Sequence, residues 1–407
     1  MTPTPIRRPA PTVPLTLAAA AVVALLSQVA PAARPQAPAA SKATGTVTVR
    51  NPIDLARTSE TVVLSATDLK AVLGVDDVRT VHVADGQADL LTQAVDLNDD
   101  GKFEQLIFQT DIAPNATRTF TLSVGARKIP KISDFKAYGR FVRERRDDFA
   151  WENDRIAHRM YGAALETWAQ EPLTSSSVDV WTKKVRRLVI NDWYMVDDYH
   201  HDDGTGGDFY SAGKSRGDGG NAIWAGGKLY PSANFRGSRV LANGPIRVLF
   251  ELTYDAWDAG GVKVSEVKRV TLDAGQNLDH FESMFTVAGG GAIPGHAAGI
   301  KKQPGSVIAT SKEAGLLRVW EPVQTKNEGN LGLAVIVDPA QVVEFTEADG
   351  NYLVVTKVAA GGTVSYDAGF GWDQSGDFSG LADWDAYLAK AVRWLRAPLS
   401  VTVAASK

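Results

Sequence analysis

The segment "YHHDDGTGGDFY", residues 199–210, places two histidines, three aspartates, two tyrosines and three glycines within twelve residues. Three readings compete for it: a metal site, an acid–base site, or a solvated polar turn. His200 and His201 are adjacent, so on an extended chain their imidazoles diverge and cannot both serve one ion. No further histidine stands at the i+2, i+3 or i+4 spacing that zinc sites usually employ. Asp202, Asp203 and Asp208 would suit calcium or magnesium, but they follow no recognised loop register. Acid–base chemistry asks for less geometry: one imidazole, one phenol or second imidazole, and carboxylates to orient them. Tyr199, His200 and Asp202 supply these groups on a glycine-supported loop.

Two flanking segments add to the inventory. "WENDRIAHRMYG" (151–162) crowds Glu152, Asn153, Asp154, Arg155, His158 and Arg159 together. Read as a strand, it turns Asn153, Arg155 and Ala157 one way and Asp154, Ile156 and His158 the other. Arg155 beside Asn153 can bind a carboxylate through forked donors plus an amide N–H. The competing reading is a buried salt-bridge cluster at a domain junction. In "GDFYSAGKSRGDGGNAIWAGGKLY" (207–230), glycines permit close backbone approach to a ligand. Tyr210, Lys214, Arg216 and Trp224 there provide stacking and anion-binding groups. No G-x-S-x-G elbow occurs, so a serine hydrolase has no support.

"DLNDDGKFE" (96–104) offers a separate metal candidate. Asp96, Asn98 and Asp100 before Gly101 match the start of a calcium loop. The twelfth position is Ile107 rather than the closing Glu of an EF-hand. An Asx-rich hairpin turn leading into "QLIFQ" is the alternative.

The elements that must position these groups read as strands. "IRVLFELTYDAW" (246–257) alternates, with Ile246, Val248, Phe250, Leu252 and Tyr254 on one face. In "LDHFESMFTV" (278–287), Phe281, Phe285 and Val287 share a face, and His280 and Glu282 point the opposite way. Thirty-seven glycines punctuate such runs and favour an all-β design. The expected organisation is a small β-sandwich over 45–126, a charged surface connector over 127–150, and a large antiparallel supersandwich over 151–407. Leu381, Trp384, Leu388, Val392 and Leu395 form a stripe at helical spacing, predicting a C-terminal helix over 381–396.

Arg7 and Arg8 before "LTLAAAAVVALLSQVA" outline an export signal over 1–34, with a Pro/Ala/Ser linker over 35–44. A periplasmic or secreted chain is expected, with no membrane partner once mature. The formal net charge of −4 gives no reason to expect nucleic acid. With no cysteine, a lipoprotein anchor, a disulfide framework, a thiolate metal site and a Cys nucleophile are excluded.

The blocks "RRDDFAWENDRIAHRMYG", "VINDWYMVDDYHHDDGTGGDFYSAGKSRGDGGNAIW", "NGPIRVLFELTY" and "GWDQSGDFSGLADWDAYL" resemble, in the same order, the bacterial family known as domain of unknown function 4861. The resemblance runs from about residue 45 to the C-terminus. It implies a galactose-mutarotase-like supersandwich in systems that use acidic glycans, and an ulvan oligosaccharide dehydratase-like activity. Tyr199, His200, Asp202, Gly204, Gly206 and Asp208 fall on its "YH-x-D-x-G-x-G-x-D" motif, and Arg155 and Tyr161 on its "ENDR…YG" block. The chain departs from that pattern at His158, Asp203 and Thr205.

Together these readings predict an eliminase, dehydratase or lyase, acting on uronic-acid-ended oligosaccharides. Arg155 with Asn153 would neutralise the carboxylate, His200 would be the base, and Tyr199 or Tyr210 the acid. His158, His201, Asp202, Asp208, Lys214 and Trp224 complete the expected substrate contacts. No cofactor is expected beyond a structural calcium at Asp96, Asn98 and Asp100. An epimerase or mutarotase and a non-catalytic glycan-binding protein are the alternatives.

Overall fold

The computed structural model describes residues 44–406 except 171, 197, 326 and 327. The expected export signal and nearly all of the linker lie outside the described residues. Alternating sequence becomes alternating burial: Lys263–Asp273 and Asp279–Val287 each bury every second side chain. They belong to an eight-stranded antiparallel sheet built from eight segments between residues 237 and 372. Opposite it stand two five-stranded sheets. One runs in the order Gly206–Gly207, Asp179–Lys183, Ala157–Met160, Asp148–Asn153, Ala137–Val142. The other centres on Asp218–Ala225, His296–Lys301 and Asn351–Thr356. Phe149, Trp151, Val180 and Ile223 from these sheets share one core with Phe250, Val270, Phe281 and Phe370 of the large sheet. The chain is an all-β sandwich, its strands too long and apolar on one face to be stable unpaired.

A second core lies between a three-stranded sheet, Arg57–Ser65, Gln105–Ile112 and Thr92–Val95, and a further five-stranded sheet that contains Thr44–Arg50 and Thr117–Val124. The last strand, Ser400–Ala405, pairs antiparallel with Thr44–Arg50 instead of joining the large sandwich. Val401 and Val403 pack against that second core, so the end of the chain buries apolar surface there.

The helix Leu381–Arg396 forms where its stripe predicts. Trp384, Leu388 and Val392 pack on Ala334 and Ile336 of the large sheet, while Asp383 and Arg393 suit the macrodipole at its two ends. No helix among the described residues is long and apolar enough to cross a membrane.

The charged segment 127–150 differs from the expected surface connector. Ala137–Val142 and Asp148–Asn153 are paired strands, and Val142, Asp148, Phe149 and Ala150 are buried. Its charges obscured two strands because Asp148 carries a buried carboxylate toward an internal partner.

Candidate active site

Two tight connections decide what "WENDRIAHRM" presents. Asn153 ends one strand and its Oδ1 accepts N–H bonds from Arg155 (2.7 Å) and Ile156 (2.9 Å), closing a turn before Ala157–Met160 begins. Its Nδ2 donates to the Asp273 and Gln276 carbonyls at 2.6 and 2.8 Å. Asn153 is fully buried and fully used, so it is a turn bracket and cannot meet substrate. The turn carries Arg155 away to Asp377, which also binds Arg186 at 2.7 Å. The expected carboxylate clamp of Arg155 with Asn153 is therefore corrected: neither lines the cavity that holds His200.

Arg159 is the guanidinium that does. It is 4% exposed, and its Nη2 donates to Asp179 Oδ2 at 2.6 Å and Asp208 Oδ2 at 3.0 Å. Asp148 stands 3.7 Å from Nη1. Burial disfavours the Arg159 charge, but Asp179 and Asp208 outweigh it and hold its pKa well above the ordinary value. Burial likewise pushes Asp148 up to about 7 against the pull of Arg159 and Arg145. Tyr161 donates to Asp179 Oδ2 at 3.3 Å. Burial first, and then the Asp179 carboxylate, push its phenol well above the ordinary value, so it stays protonated near neutrality.

The loop carrying His200 is clamped at both ends. Buried Glu152, paired with Lys183 at 2.6 Å, accepts N–H bonds from Val189 and Ile190 at 2.7–2.9 Å. That fixes the start of the short helix Ile190–Val196, which leads into the loop. At the far end Gly206 and Gly207 pair with Lys183 and Thr182, and Asp208 N–H donates to the Tyr199 carbonyl at 2.7 Å. Gly206 has φ +113°, and a Cβ there would lie 2.1 Å from the Thr182 carbonyl oxygen. Only glycine fits that approach.

The result is a cavity of about 320 Å³ lined by Arg159, Tyr161, Asp179, His200, Asp208, Tyr210 and neighbouring residues. His200 stands at its mouth with a 65% exposed side chain, its Nδ1 3.6 Å from Asp208 Oδ2. Of the expected residues, the structure brings His200, Asp208 and Tyr210 together there. Tyr210 contributes its ring, whereas its hydroxyl is buried without a hydrogen-bond partner among the described residues.

The others are placed elsewhere. Tyr199 is buried against Trp181 and accepts from Arg145 Nε at 2.7 Å, so it walls the loop and does not line the cavity. His201 points outward to Asp198 at 2.9 Å. Asp202 is held by Lys184 and by the Gly204 and Gly206 amides, closing the loop. His158 is interior, between Trp151 and Phe370, with Nε2 3.0 Å from Asp279. Lys214 is exposed outside the cavity lining. Trp224 packs against the cluster of Leu229 and Leu353, and Arg216 is buried on Ser175 and Ser176. Sequence reasoning noted Arg159 in the charged crowd at 151–162 without giving it a role, and passed over Asp179. Their signal was the charged residue kept within a strand otherwise made of buried positions.

The segment 96–104 connects Thr92–Val95 to Gln105–Ile112. Asp96 accepts N–H bonds from Asn98, Asp99 and Gly101 at 2.6–3.1 Å. Oxygens of Asp96, Asp100 and Glu104 lie within 4.8 Å of one another, a spacing that suits a hard cation. Glu104 thus joins the two expected aspartates, its Oε2 accepting the Leu97 amide at 2.7 Å as Asn98 Oδ1 accepts the Asp100 amide at 2.9 Å.

Arg159→Leu strands buried carboxylates and should cost about 3–5 kcal/mol, whereas Arg155→Ala should cost under about 1 kcal/mol. Urea denaturation of the two variants compares them, and equal losses would contradict this placement. Asp148 binds its proton more tightly folded than unfolded, where a carboxyl titrates near 4. Its contribution is therefore full below about 4 and lost as pH rises through about 7. Asp148→Asn should flatten the fall in melting temperature over that window, and an unchanged slope would refute the assignment.

Comparisons with known proteins place the chain. A family model described as Domain of unknown function (DUF4861) matches residues 49–401. An uncharacterized protein P7 from Formosa agariphila is 32% identical over 375 residues, covering 88% of this chain and 93% of that protein. Among solved structures, an alpha-mannosidase from Enterococcus faecalis V583 aligns with TM-score 0.49 at 11% identity over 89% of this chain. A glycosyl hydrolase family 38 protein from Enterococcus faecalis aligns with TM-score 0.47 at 11% identity over 88%. The chain spans 46% and 47% of the lengths of those two structures. A family match over most of the chain, with a 32% identical relative along nearly its whole length, makes this protein a member of the DUF4861 family.

Proposed function

We propose that the chain is a carbohydrate-active enzyme that uses acid–base chemistry in the Arg159 cavity. Its reaction is elimination at a non-reducing-end uronic acid of an oligosaccharide, with water or a sugar as the leaving group. One observation carries this reading: an exposed imidazole and a buried protonated phenol flank a single cavity of about 320 Å³ above a guanidinium locked by carboxylates. That volume suits one sugar ring.

His200 takes the C5 proton, its ring oriented by Asp208, whose carbonyl lies 3.3 Å and whose Oδ2 lies 3.6 Å from Nδ1. Tyr161 delivers its proton to the departing oxygen. Arg159 is the cationic group of the cavity where negative charge develops on the uronate, its field offset in part by Asp179 and Asp208. An exported location, as residues 1–34 suggest, would bring such an enzyme to glycan fragments outside the cytoplasm.

A second reading has its own support. Arg159 is the one Lys or Arg among the described residues lining the cavity, and the two carboxylates Asp179 and Asp208 outweigh its single charge. That excess of negative charge favours a neutral sugar and an epimerase or mutarotase using the same His200 and Tyr161.

Purified protein is incubated with uronic-acid-ended oligosaccharides while ultraviolet absorbance and product mass are followed. Elimination predicts new absorbance, with mass loss of water or chain cleavage. His200→Ala and Tyr161→Phe should each fold and lose about 10²–10⁴-fold in turnover. Unchanged mass with altered stereochemistry would favour the second reading, and binding with no product would leave a glycan-binding protein.

A further inference from the structure

Behind the cavity wall the interior is polar in a way the reaction above does not use. The Tyr210 hydroxyl, both oxygens of Asp218, Ser177 Oγ and Glu321 Oε1 are all buried without a hydrogen-bond partner among the described residues. Asp218, Ser177 and Glu321 are 0% exposed. Buried polar atoms are almost always satisfied, and several unsatisfied together point to bound water.

The backbone brings Asp218 and Ser177 side by side. Asp218 N–H donates to the Val178 carbonyl at 2.9 Å, and a Cβ on Gly217 would lie 2.7 Å from Ser177 Oγ. Asp218 stands at a register shift against His296–Lys301, the kind of bulge that re-aims a side chain. Its flanking glycines have φ +60° and +90°, and a Cβ on Gly219 would meet Ala368 at 2.3 Å. Glycine alone accepts this backbone on both sides of the carboxyl.

The charged groups around these atoms are few. Asp218 is faced by His158, Asp279 and Glu321, and Glu321 by the Lys301 ammonium. Tyr210 is faced by Glu321, Asp218 and Asp179, and by the Tyr161 phenol. His158 is itself committed to Asp279 at 3.0 Å. Burial raises Asp218 to about 8, with His158 opposing, and burial raises Glu321 to about 7 against its bond from Ser306. Burial thus favours the protonated form of both carboxyls, Asp218 more than Glu321, and Tyr210, which both of them face, also lines the cavity.

We propose that this interior is a hydrated proton store, in which bound water links Asp218 and Glu321 through Tyr210 to the acid of the cavity. The delivery step rests on the elimination reading. When Tyr161 has given its proton to the leaving oxygen, Tyr210 passes it one, and water protonated by Asp218 replaces that. Each transfer breaks one O–H bond and forms another, leaving Asp218 as a carboxylate. The proton taken by His200 leaves to solvent at the mouth, and Asp218 regains one from solvent along the same chain, so the cycle closes.

Infrared spectroscopy of the unliganded protein at neutral pH tests the store without a substrate. A carboxylic-acid carbonyl band is expected, reduced in Asp218→Asn and further reduced in Asp218→Asn with Glu321→Gln. A high-resolution crystal structure should show ordered water between Tyr210 and Asp218. Absence of the acid band, or a band unmoved by both substitutions, overturns the proposal, as does an interior closed to water. With an established substrate, Asp218→Asn should lower kcat at least tenfold with little change in KM, and an unchanged kcat would refute delivery. Failure of the elimination reading registers separately, as absence of product with the infrared band intact.

Discussion

The site depends on one guanidinium. Arg159 extends from Ala157–Met160, Asp179 begins the next strand, and Asp148 begins the strand on the other side. Asp208 follows the short strand at the sheet edge. A single side chain therefore ties three adjacent strands and the active loop together. A charge this buried is tolerable only with full pairing, and once paired it allows few alternative arrangements. The cavity floor is fixed in geometry before any ligand arrives, as electrostatic catalysis requires.

That constraint is reinforced by a second buried pair. Lys183 and Glu152 sit on strands separated by the one carrying Arg159, and Glu152 also anchors the helix that feeds the His200 loop. Two charged contacts in one sheet thus govern both the floor of the cavity and the position of the imidazole at its mouth. The aromatic rings of Trp181, Tyr194 and Tyr199 pack beside them and keep water from the ion pairs, which strengthens each. Among the described residues, the large sheet opposite supplies apolar support and no cavity-lining acid or base.

Much of this was legible from sequence where one period ruled. The alternation at 281–287 and the helical stripe over 381–396 gave their elements directly, because each buries one face, and 246–254 forms its strand although Leu249 and Glu251 on its second face are buried as well. The loop at 199–210 stood out by composition, and His200, Asp208 and Tyr210 do meet at one cavity. Reading failed where local turns break the period. Taken as one strand, 151–162 favours Arg155, but the Asn153 turn resets the chain and leaves Arg159 facing inward. The run 127–150 looked solvated because sequence shows charges and not their partners, and Asp148 has a partner 11 residues further on, at Arg159. Trp224 and Lys214 looked like ligand contacts for the same reason: residue type carries no record of which face of a sheet, or which side of a turn, lies against the cavity.

The most direct measurement is a crystal structure of the His200→Ala protein with a uronic-acid-ended oligosaccharide. The account predicts the terminal sugar in the cavity above Arg159, its leaving oxygen within hydrogen-bond distance of Tyr161 and its C5 facing the space vacated by the imidazole. A sugar bound outside the cavity, or one seated there with Tyr161 out of reach, would contradict it.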